Sequence, residues 1–414
     1  MTNTSNDLRI NPDRMLASFN ELALIGSTGD GGVNRPALGE AHLVARQWFR
    51  RQIESSGLEF HTDGAGNHSA VLTFQPANHQ TYLIGSHLDS VPNGGRFDGA
   101  LGVISALEVL RTIKEAGIPL KFDLEAIDFT DEEGTLVGLL GSAALAGHLN
   151  QGMLKSPRGG RPALVEGMRR AGLSDESIMN SARPAGSIAG YLELHIEQGK
   201  RLERAQVNIG IVSAIVGISS YQLAFIGRAD HAGSTPMDDR LDASLGASAF
   251  TLAARELVLK DFPHCVVNVG KMDFSPGAFN IVPSRVDLSL EFRAPNDEDF
   301  KRLDTALIER AQLEADRFGL GLKKDFRGRH SPTPMTDRIQ YTFADACEVL
   351  GLTHMPLTSG AGHDGQSFAT LCPVGMVFVP SVDGASHAPR EFTRWQDCVN
   401  GANVLLQTVL RLAT

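Results

Sequence analysis

The spacing of apolar residues predicts alternating helices and strands along the first half of the chain and again near its end. Residues 40–56 show helical periodicity and stop before Gly57, and residues 100–116 form an apolar helix that stops at Gly117. Four short apolar runs are typical of strands, at 82–84, 122–129, 191–194 and 374–379. Strands that alternate with helices in this way indicate an α/β fold with a doubly wound, mostly parallel sheet.

A different pattern occupies residues 214–327. Strands are predicted there at 219–226, 265–272, 285–293 and 320–326, and helices at 241–257 and 297–318. The order β-α-β-β-α-β is typical of a small ferredoxin-like α+β sandwich. Because candidate site residues lie on both sides of it, we expect residues 214–327 to be a domain inserted into one built from 1–213 and 328–414. The alternative is that all these strands belong to one continuous large sheet.

Potential metal ligands follow the predicted parallel strands directly. His87, His195 and His387 each come after an apolar strand, and the pair Glu132-Glu133 follows another. Each feature alone is weak, because a histidine at a strand end is usually structural and an acidic pair is usually a solvated loop. Together they occupy the same position in the topology, outside the carboxyl ends of strands, where open α/β sheets place their sites. The combination predicts a metal centre.

Two aspartates complete this candidate site. Asp98 lies in a glycine-rich loop that lets the backbone approach a cation, and one aspartate there can bridge two ions. Asp89 is placed to accept a hydrogen bond from His87 and so to fix the tautomer of that ring. Because neighbouring residues leave an extended strand on opposite sides, Glu133 is predicted to bind metal and Glu132 to face the substrate water as a base.

The residue types also limit the choice of metal. Three histidines and two carboxylates suit Zn, Mn, Co or Ni, whereas Ca and Mg favour shells made only of oxygen. Two such ions would acidify a water molecule and stabilise a developing oxyanion.

Length, charge and cysteine usage argue against several classes of protein. The 414 residues favour two domains, and the formal net charge of −10 argues against a nucleic-acid-binding protein. Residues 1–14 are polar and show no leader, and no apolar run approaches the ~20 residues that span a bilayer. The four cysteines lie far apart, as in proteins of a reducing compartment, which predicts a cytoplasmic protein. They are Cys265, Cys347, Cys372 and Cys398.

These motifs together resemble a known family. The chain is similar to the N-carbamoyl-L-amino-acid amidohydrolases, β-ureidopropionases and allantoate amidohydrolases, which are hydantoinase/carbamoylase-type amidases of the dinuclear zinc aminoacylase–carboxypeptidase superfamily. The matching segments, in family order, are GSHLDSVPNGGRFDG (85–99), DEEG (131–134), ELHIEQG (193–199), GRADHAGSTP (227–236), NIVP (280–283), SGAGHDGQ (359–366) and SHAP (386–389).

The resemblance implies roles for individual residues. One ion would be held by His87, Asp98 and His195, and the other by Asp98, Glu133 and His387. The catalytic residues would be Glu132, the general base, with Asp89 and His231. The exopeptidase branches generally carry a carboxylate where this chain has His195, so the histidine favours the carbamoylase branch.

The resemblance also implies how substrate is bound. The residues assigned to it are Gln198, His231, Asn280, Arg293 and Gly362. His231 would donate to the developing oxyanion, and the forked guanidinium of Arg293 would pair with a substrate carboxylate. In the family His231, Asn280 and Arg293 reach the active site of the partner subunit, so a homodimer is expected.

One segment departs from the family pattern. After Gly134 the family commonly continues with one residue and then Arg-Phe, but this chain has Thr135-Leu136-Val137. The potential ligands are unaffected, whereas the identity of the carbamoyl substrate is left open.

The expected reaction is hydrolysis of a linear C–N amide or ureido bond. The leading hypothesis is conversion of an N-carbamoyl-amino acid to the amino acid, carbon dioxide and ammonia, with allantoate amidohydrolase or β-ureidopropionase activity as alternatives. A dipeptidase or N-acyl-amino-acid deacylase is a more distant alternative. A catalytically silent metal-containing binding protein would have lost a ligand or the base, and all of these residues are present.

Overall fold

The computed structural model describes residues 6–74 and 80–413. The prediction that residues 1–14 show no leader therefore concerns a segment that lies partly outside the described residues. The chain divides into two compact units, Met1–Ser213 with Met335–Thr414, and Ala214–Pro334. The second unit ends at Pro334, after a strand at Gly321–His330 and a two-residue strand at Thr333–Pro334, whereas residue 327 was the predicted end.

The first unit contains most of the helices and a large sheet. Its strands are β1 (Glu59–Thr62), β2 (His68–Leu72), β3 (Thr81–His87), β4 (Asp123–Phe129), β5 (Ile188–Ile196), β6 (Ile209–Ile215), β12 (His354–Ser359) and β13 (Val374–Val379). Its helices are α1 (Pro12–Leu24), α2 (Glu40–Ser55), α3 (Ala100–Ala116), α4 (Leu140–Leu145), α5 (Gln151–Lys155), α6 (Arg161–Ala171), α7 (Asp175–Met179), α8 (Arg201–Ala205), α11 (Asp337–Leu350), α12 (Gly365–Phe368) and α13 (Trp395–Ala413).

Four parallel strands form the centre of this sheet, in the order β4-β3-β5-β13. The hairpin β1–β2 extends it antiparallel beyond β4, while β6 pairs antiparallel with β13 and β12 lies beside β6. Parallel strands end at the same edge of a sheet, so the residues that follow β3, β4, β5 and β13 are brought together. The predicted mostly parallel α/β sheet is confirmed.

Helix α3 packs in the core directly behind that edge. Every residue from Ala100 to Ile113 is buried, as expected for a helix that is apolar on nearly all sides. The residue before it, Gly99, has a φ of 64°, and a Cβ there would lie 2.4 to 2.5 Å from ring atoms of His87. Glycine at position 99 therefore lets the His87 ring lie against the start of the helix.

Several short elements were not predicted. The hairpin β1–β2 and the helices α4, α5 and α7 have only four to six residues each. An element this short does not show a clear hydrophobic period of 2 or 3.6 residues, because such a period can be recognised only over a longer window.

The second unit is a four-stranded antiparallel sheet with two helices. Its elements are β7 (Gly217–Ile226), α9 (Ala243–Asp261), β8 (Val266–Ser275), β9 (Arg285–Ala294), α10 (Asp297–Arg317) and β10 (Gly321–His330), followed by the two-residue strand β11 (Thr333–Pro334). The strand order is β10-β7-β9-β8. Buried residues of β9 alternate with half-exposed ones, and the buried set joins the core formed with α9 and α10. The predicted ferredoxin-like unit is confirmed.

Within the described part of the chain, no helix combines the length and the apolar character needed to cross a membrane.

Candidate metal centre

The edge formed by β3, β4, β5 and β13 brings the predicted ligands together. His87 is the last residue of β3, and His195 lies near the end of the neighbouring strand β5. One ligand atom from each of His87, Asp98 and His195 lies within 4.8 Å of the other two. The same criterion groups Asp98 with Glu133 and His387. The two groups share Asp98.

The carboxylate of Asp98 faces both groups at once. Its Oδ1 lies 3.0 Å from Nε2 of His195 and 3.9 Å from Nε2 of His87. Its Oδ2 lies 3.3 Å from Nε2 of His387, which is also 3.5 Å from Glu133 Oε2. A carboxylate with one oxygen directed to each group has the arrangement needed to bridge two cations.

Backbone carbonyl groups orient two of the histidines. Nδ1 of His87 donates to the carbonyl oxygen of Asp89 at 3.0 Å, and Nδ1 of His195 donates to that of Ile196 at 2.9 Å. Because Nδ1 carries a proton in each ring, Nε2 is the nitrogen left to bind a metal once any proton on it is lost. This donor set fits the predicted metal.

Asp89 makes different contacts from the one predicted. Its carboxylate Oδ1 is 3.8 Å from Nδ1 of His87, because the main-chain carbonyl oxygen occupies the hydrogen-bonding position. The two carboxylate oxygens instead accept from the backbone N–H groups of Glu132 and Glu133, each at 3.3 Å. Asp89 therefore positions the acidic pair as well as the histidine.

The acidic pair lies in a turn and not at an extended strand end. Strand β4 stops at Phe129, and Asp131 has a left-handed φ of 58°. The two carboxylates nevertheless diverge, since Glu132 Oε2 is 3.5 Å from Nε2 of His87 while Glu133 faces His387. The predicted divergence is present, but the turn at Asp131 produces it.

Asp131 also contacts the segment that departs from the family pattern. Its carboxylate accepts from the backbone N–H groups of Leu136, Val137 and Gly138 at 2.5 to 3.0 Å. The side chain of Leu136 is buried in a satellite core that includes Leu38. The segment therefore closes the turn through main-chain contacts and packs its leucine inside the fold.

Three of the potential ligands have raised pKa values, so they hold protons that a cation would displace. Burial and the charge of Asp98 raise the pKa of Glu133 to about 8. Burial lowers the pKa of His195, but the hydrogen bond to Asp98 outweighs it and raises that pKa to about 9. The hydrogen bond to Asp98 likewise raises the pKa of His387 to about 9. Metal ligands bind in their deprotonated forms, so uptake of a cation would release these protons.

Glu132 is the predicted base. Burial, followed by the charges of Asp364 and Glu133, raises its pKa well above the ordinary value. Its side chain is only 10% exposed, and it lies beside the His87 group without belonging to either potential ligand set. That position fits a proton acceptor beside the potential metal ligands.

A third group of potential ligands, Glu193, His195 and His363, is already satisfied within the fold. The carboxylate of Glu193 accepts from Ser86 Oγ at 2.8 Å and from the Tyr191 hydroxyl at 2.9 Å. Nε2 of His363 contacts Ser359 Oγ at 2.8 Å. We therefore treat this group as support for the site. Glu193 and His363 had no predicted role, although the matched segments that contain them, 193–199 and 359–366, were identified.

Gln198 contacts the bridging carboxylate. Its Nε2 donates to Asp98 Oδ2 at 2.9 Å and to Ser386 Oγ at 3.2 Å. Gln198, which is predicted to bind substrate, thus lies beside Asp98, a potential metal ligand. Gly362, also predicted to bind substrate, is half-buried in the loop after β12.

The predicted substrate residues of the second unit fall into two groups. His231 pairs with Ile281, and Ala232 N donates to the carbonyl of Asn280 at 3.0 Å, so His231 and Asn280 are neighbours. Both lie beyond the end of the sheet where Ile226 pairs with Arg285. Arg293 lies at the other end of β9, opposite Ile218. The eight residue-to-residue steps from 285 to 293 correspond to roughly 26 Å at about 3.3 Å per residue.

Two details of these groups bear on their chemistry. Nδ1 of the exposed His231 accepts from the N–H groups of Gly233 and Ser234, at 3.1 and 3.2 Å, so its proton is on Nε2. The guanidinium of Arg293 pairs with Glu291 at 2.8 Å. His231 is thus prepared to donate a hydrogen bond. One chain cannot bring both His231 and Arg293 to one small substrate.

Comparisons with known proteins agree with the fold and identify the family. The profile described as Peptidase family M20/M25/M40 matches residues 83–411. The N-carbamoyl-L-amino acid amidohydrolase of Geobacillus stearothermophilus is 36% identical over 98% of this chain and 99% of that protein. The allantoate amidohydrolase of Bacillus subtilis (strain 168) is 33% identical over 95% of each.

A solved structure extends the agreement to three dimensions. The hydantoinase/carbamoylase family amidase from Burkholderia multivorans superposes with a TM-score of 0.89 at 33% identity, covering 98% of both chains. Identity above 30% along nearly the whole length, with one continuous family match, establishes the relationship. The chain belongs to peptidase family M20/M25/M40, together with the N-carbamoyl-L-amino acid amidohydrolases.

Proposed function

We propose that this protein hydrolyses the ureido C–N bond of an N-carbamoyl-amino acid, giving the amino acid, carbon dioxide and ammonia. The observation that carries the proposal is the carboxylate of Asp98 between two groups of metal-ligating side chains, with Glu132 beside them. The carbamoylase and allantoate relatives, which act on ureido compounds according to their names, support the substrate class.

We propose two divalent ions per subunit, of Zn, Mn, Co or Ni. One would be held by His87, Asp98 and His195, and the other by Asp98, Glu133 and His387. When bound, such ions polarise the scissile carbonyl, acidify water and favour the carboxylate form of a neighbouring acid.

The protein side chains move the proton. Glu132 accepts a proton from the attacking water and then donates it to the nitrogen that leaves with the amino acid. The backbone of Glu132 is held by Asp89, which keeps the base in place between the two steps. The C–N bond breaks as the carbamate departs, and the carbamate then decomposes to carbon dioxide and ammonia.

We propose that each active site uses residues of both subunits. Because Arg293 and His231 lie toward opposite ends of the same sheet, we propose that they serve different centres of the homodimer, with Arg293 serving that of its own subunit. His231 and Asn280, at the far end of β9, are assigned to the partner's centre. This revises the expectation that all three reach the partner. Arg293 would bind the substrate carboxylate, and Nε2 of His231 would donate to the oxyanion.

The second unit has a surface suited to the proposed homodimer. Strand β8 is at the edge of its sheet, and the side chain of Val266 on it is exposed. The neighbouring helix α9 exposes Leu245, Leu252 and Leu259, seven residues apart and therefore on one face. An apolar helix stripe beside an open strand edge is a surface that a second copy of the chain would cover.

The four cysteines are free and buried, as expected for the proposed cytoplasmic location.

A substrate panel tests the proposed reaction. Metal-loaded enzyme should release ammonia from N-carbamoyl-amino acids, because their ureido carbonyl carries the nitrogen that becomes ammonia. Allantoate is included as the alternative ureido substrate, and N-acetyl-amino acids and dipeptides as controls that cannot yield carbamate. Hydrolysis of the controls, with no reaction of either ureido substrate, would contradict the proposal and favour a deacylase or peptidase.

Replacing His195 with alanine should lower the metal content of the purified protein. The side chain supplies one of three proposed ligands to the first ion, and Asp98 alone would then join His87 there. Metal per chain is measured by mass spectrometry after dialysis against trace metal. His42→Ala is the matched control, since His42 is also a buried histidine but bonds only Leu38 N within the described contacts. Wild-type metal content in His195→Ala would remove His195 from the ligand set.

A further inference from the structure

We propose that Glu391 is a positioning residue that fixes the bridging Asp98 relative to the loop that carries His387. The inference rests on the proposed metal centre. Glu391 is 3% exposed, and its Oε1 accepts from two consecutive backbone N–H groups, those of Phe97 at 2.9 Å and Asp98 at 3.0 Å. The main chain of the bridging residue is thus held by a carboxylate that is itself outside both ligand groups.

The other oxygen of Glu391 reaches the second ligand loop. Oε2 accepts from Ser386 Oγ at 3.0 Å, and Ser386 directly precedes His387. The same hydroxyl lies 3.2 Å from Asp98 Oδ2. One carboxylate therefore joins two ligand-bearing loops that are separated by almost three hundred residues of sequence.

The glycine-rich loop is shaped around this carboxylate. A Cβ built on Gly95 would lie 1.9 Å from Cδ of Glu391 and 2.0 and 2.3 Å from its two oxygens. These are its three nearest atoms, so the Glu391 carboxyl group occupies the space that a side chain at position 95 would need. Glycine at 95 is thus explained by its contact with Glu391, beyond any need for loop flexibility.

The position of Asp98 is important because this residue belongs to both groups of potential ligands. A small rotation of its main chain would move Oδ1 and Oδ2 together and alter the distances to His195 and His387. Residues that hold metal ligands in place typically affect metal affinity by 10–100-fold when they are replaced. We therefore expect Glu391 to act on metal affinity.

The first test compares metal affinity among variants of the full-length protein. Zinc affinity of the metal-free protein is measured by competition with a chromogenic chelator, and folding by circular dichroism. Glu391→Ala should weaken zinc binding by about 10–100-fold. Glu391→Gln should lose clearly less, because its amide oxygen can still accept from both N–H groups and its NH₂ can donate to Ser386.

Glu108→Ala is the matched control for a general loss of stability. Glu108 is also a buried glutamate that accepts a backbone N–H, that of Asn11 at 3.0 Å, and it pairs with Arg14 outside the metal centre. The Glu108→Ala variant should have a lower melting temperature than the wild-type protein but the same zinc affinity. Equal losses of affinity in the Glu108 and Glu391 variants would assign the effect to stability and overturn the proposal.

Gly95→Ala provides a second test that does not remove Glu391. Its Cβ should displace the carboxylate and weaken zinc binding in the wild-type background, but have little further effect when Glu391 is already alanine. Such non-additivity is expected of residues that act through one contact. Additive losses would overturn the proposal.

The outcome for wild-type protein separates this inference from the function it rests on. A wild-type protein that binds no zinc, manganese, cobalt or nickel would overturn both. A wild-type protein that binds metal, with a folded Glu391→Ala variant of equal affinity, would overturn the role of Glu391 alone. If Glu391→Ala does not fold, Ser386→Ala decides. It removes the hydroxyl that joins Glu391 to the loop of His387, together with the contacts of that hydroxyl to Asp98 and Gln198, and should still weaken zinc binding. Unchanged affinity would overturn the proposal.

Discussion

Glu132→Gln should abolish most of the turnover while leaving the metal content unchanged. The amide keeps the shape of the side chain but cannot accept the proton of the attacking water or return it to the leaving nitrogen. Loss of a general base typically lowers the rate ~10²–10⁴-fold. The effect should appear in kcat, because the proton transfer takes place in the transition state. Ammonia release under saturating substrate gives kcat, and mass spectrometry gives the metal per chain.

Two comparisons make this result specific. Glu108→Gln replaces another buried glutamate, which pairs with Arg14, and should keep kcat near the wild-type value. Glu133→Gln alters a proposed ligand and should lower metal content together with activity. Undiminished kcat in Glu132→Gln would show that the base is a different residue.

Mixing two inactive variants should restore activity only when the damaged residues belong to different subunits of one site. Glu132→Gln protein combined with His231→Ala protein should regain activity. In a mixed dimer one site then contains both substitutions and the other contains neither, so up to about half the sites of each mixed dimer should work under twofold symmetry. Glu132→Gln combined with Arg293→Ala should stay inactive, because both residues are proposed to serve the centre of their own chain.

The pair of mixtures distinguishes the possible arrangements. Subunit exchange is shown independently by native mass spectrometry of tagged and untagged chains. Recovery with Arg293→Ala and none with His231→Ala would reverse the assignment of the two groups. Recovery with both would mean that Arg293 and His231 both come from the partner. Recovery with neither, although subunits exchange, would refute the shared site.

The local pattern of the sequence determined the scaffold that carries the site. Helix α3 spans Ala100–Ala116 as predicted, and β13 spans Val374–Val379 as predicted. Long apolar runs with clear ends predict buried elements, because a helix or strand that is apolar on all sides is stable only in the protein core. Ligand types placed after such strands, with Asp98 in the glycine-rich loop, therefore predicted that His87, Asp98, Glu133, His195 and His387 meet.

The contacts around those ligands were decided only by the tertiary structure. Asp89 was predicted to orient His87 through its carboxylate, whereas its carbonyl oxygen does so and its carboxylate holds the acidic pair. Which of two groups on the same residue makes a contact depends on main-chain torsions, such as the left-handed turn at Asp131. Periodicity carries no information about single torsions.

The remaining contacts could not be predicted because they join residues that are far apart in the sequence. Glu391 bonds the backbone of Asp98 across 293 positions, and no local pattern identifies such a partner, since strand order and register bring it there. Likewise, His231 and Arg293 were grouped by their shared role in the family, but the antiparallel register of β7 and β9 places them at opposite ends of one sheet. The sequence by itself determined which residue types follow which strands, and the folded chain decided which of them touch, because contact depends on the packing of segments that are remote in sequence.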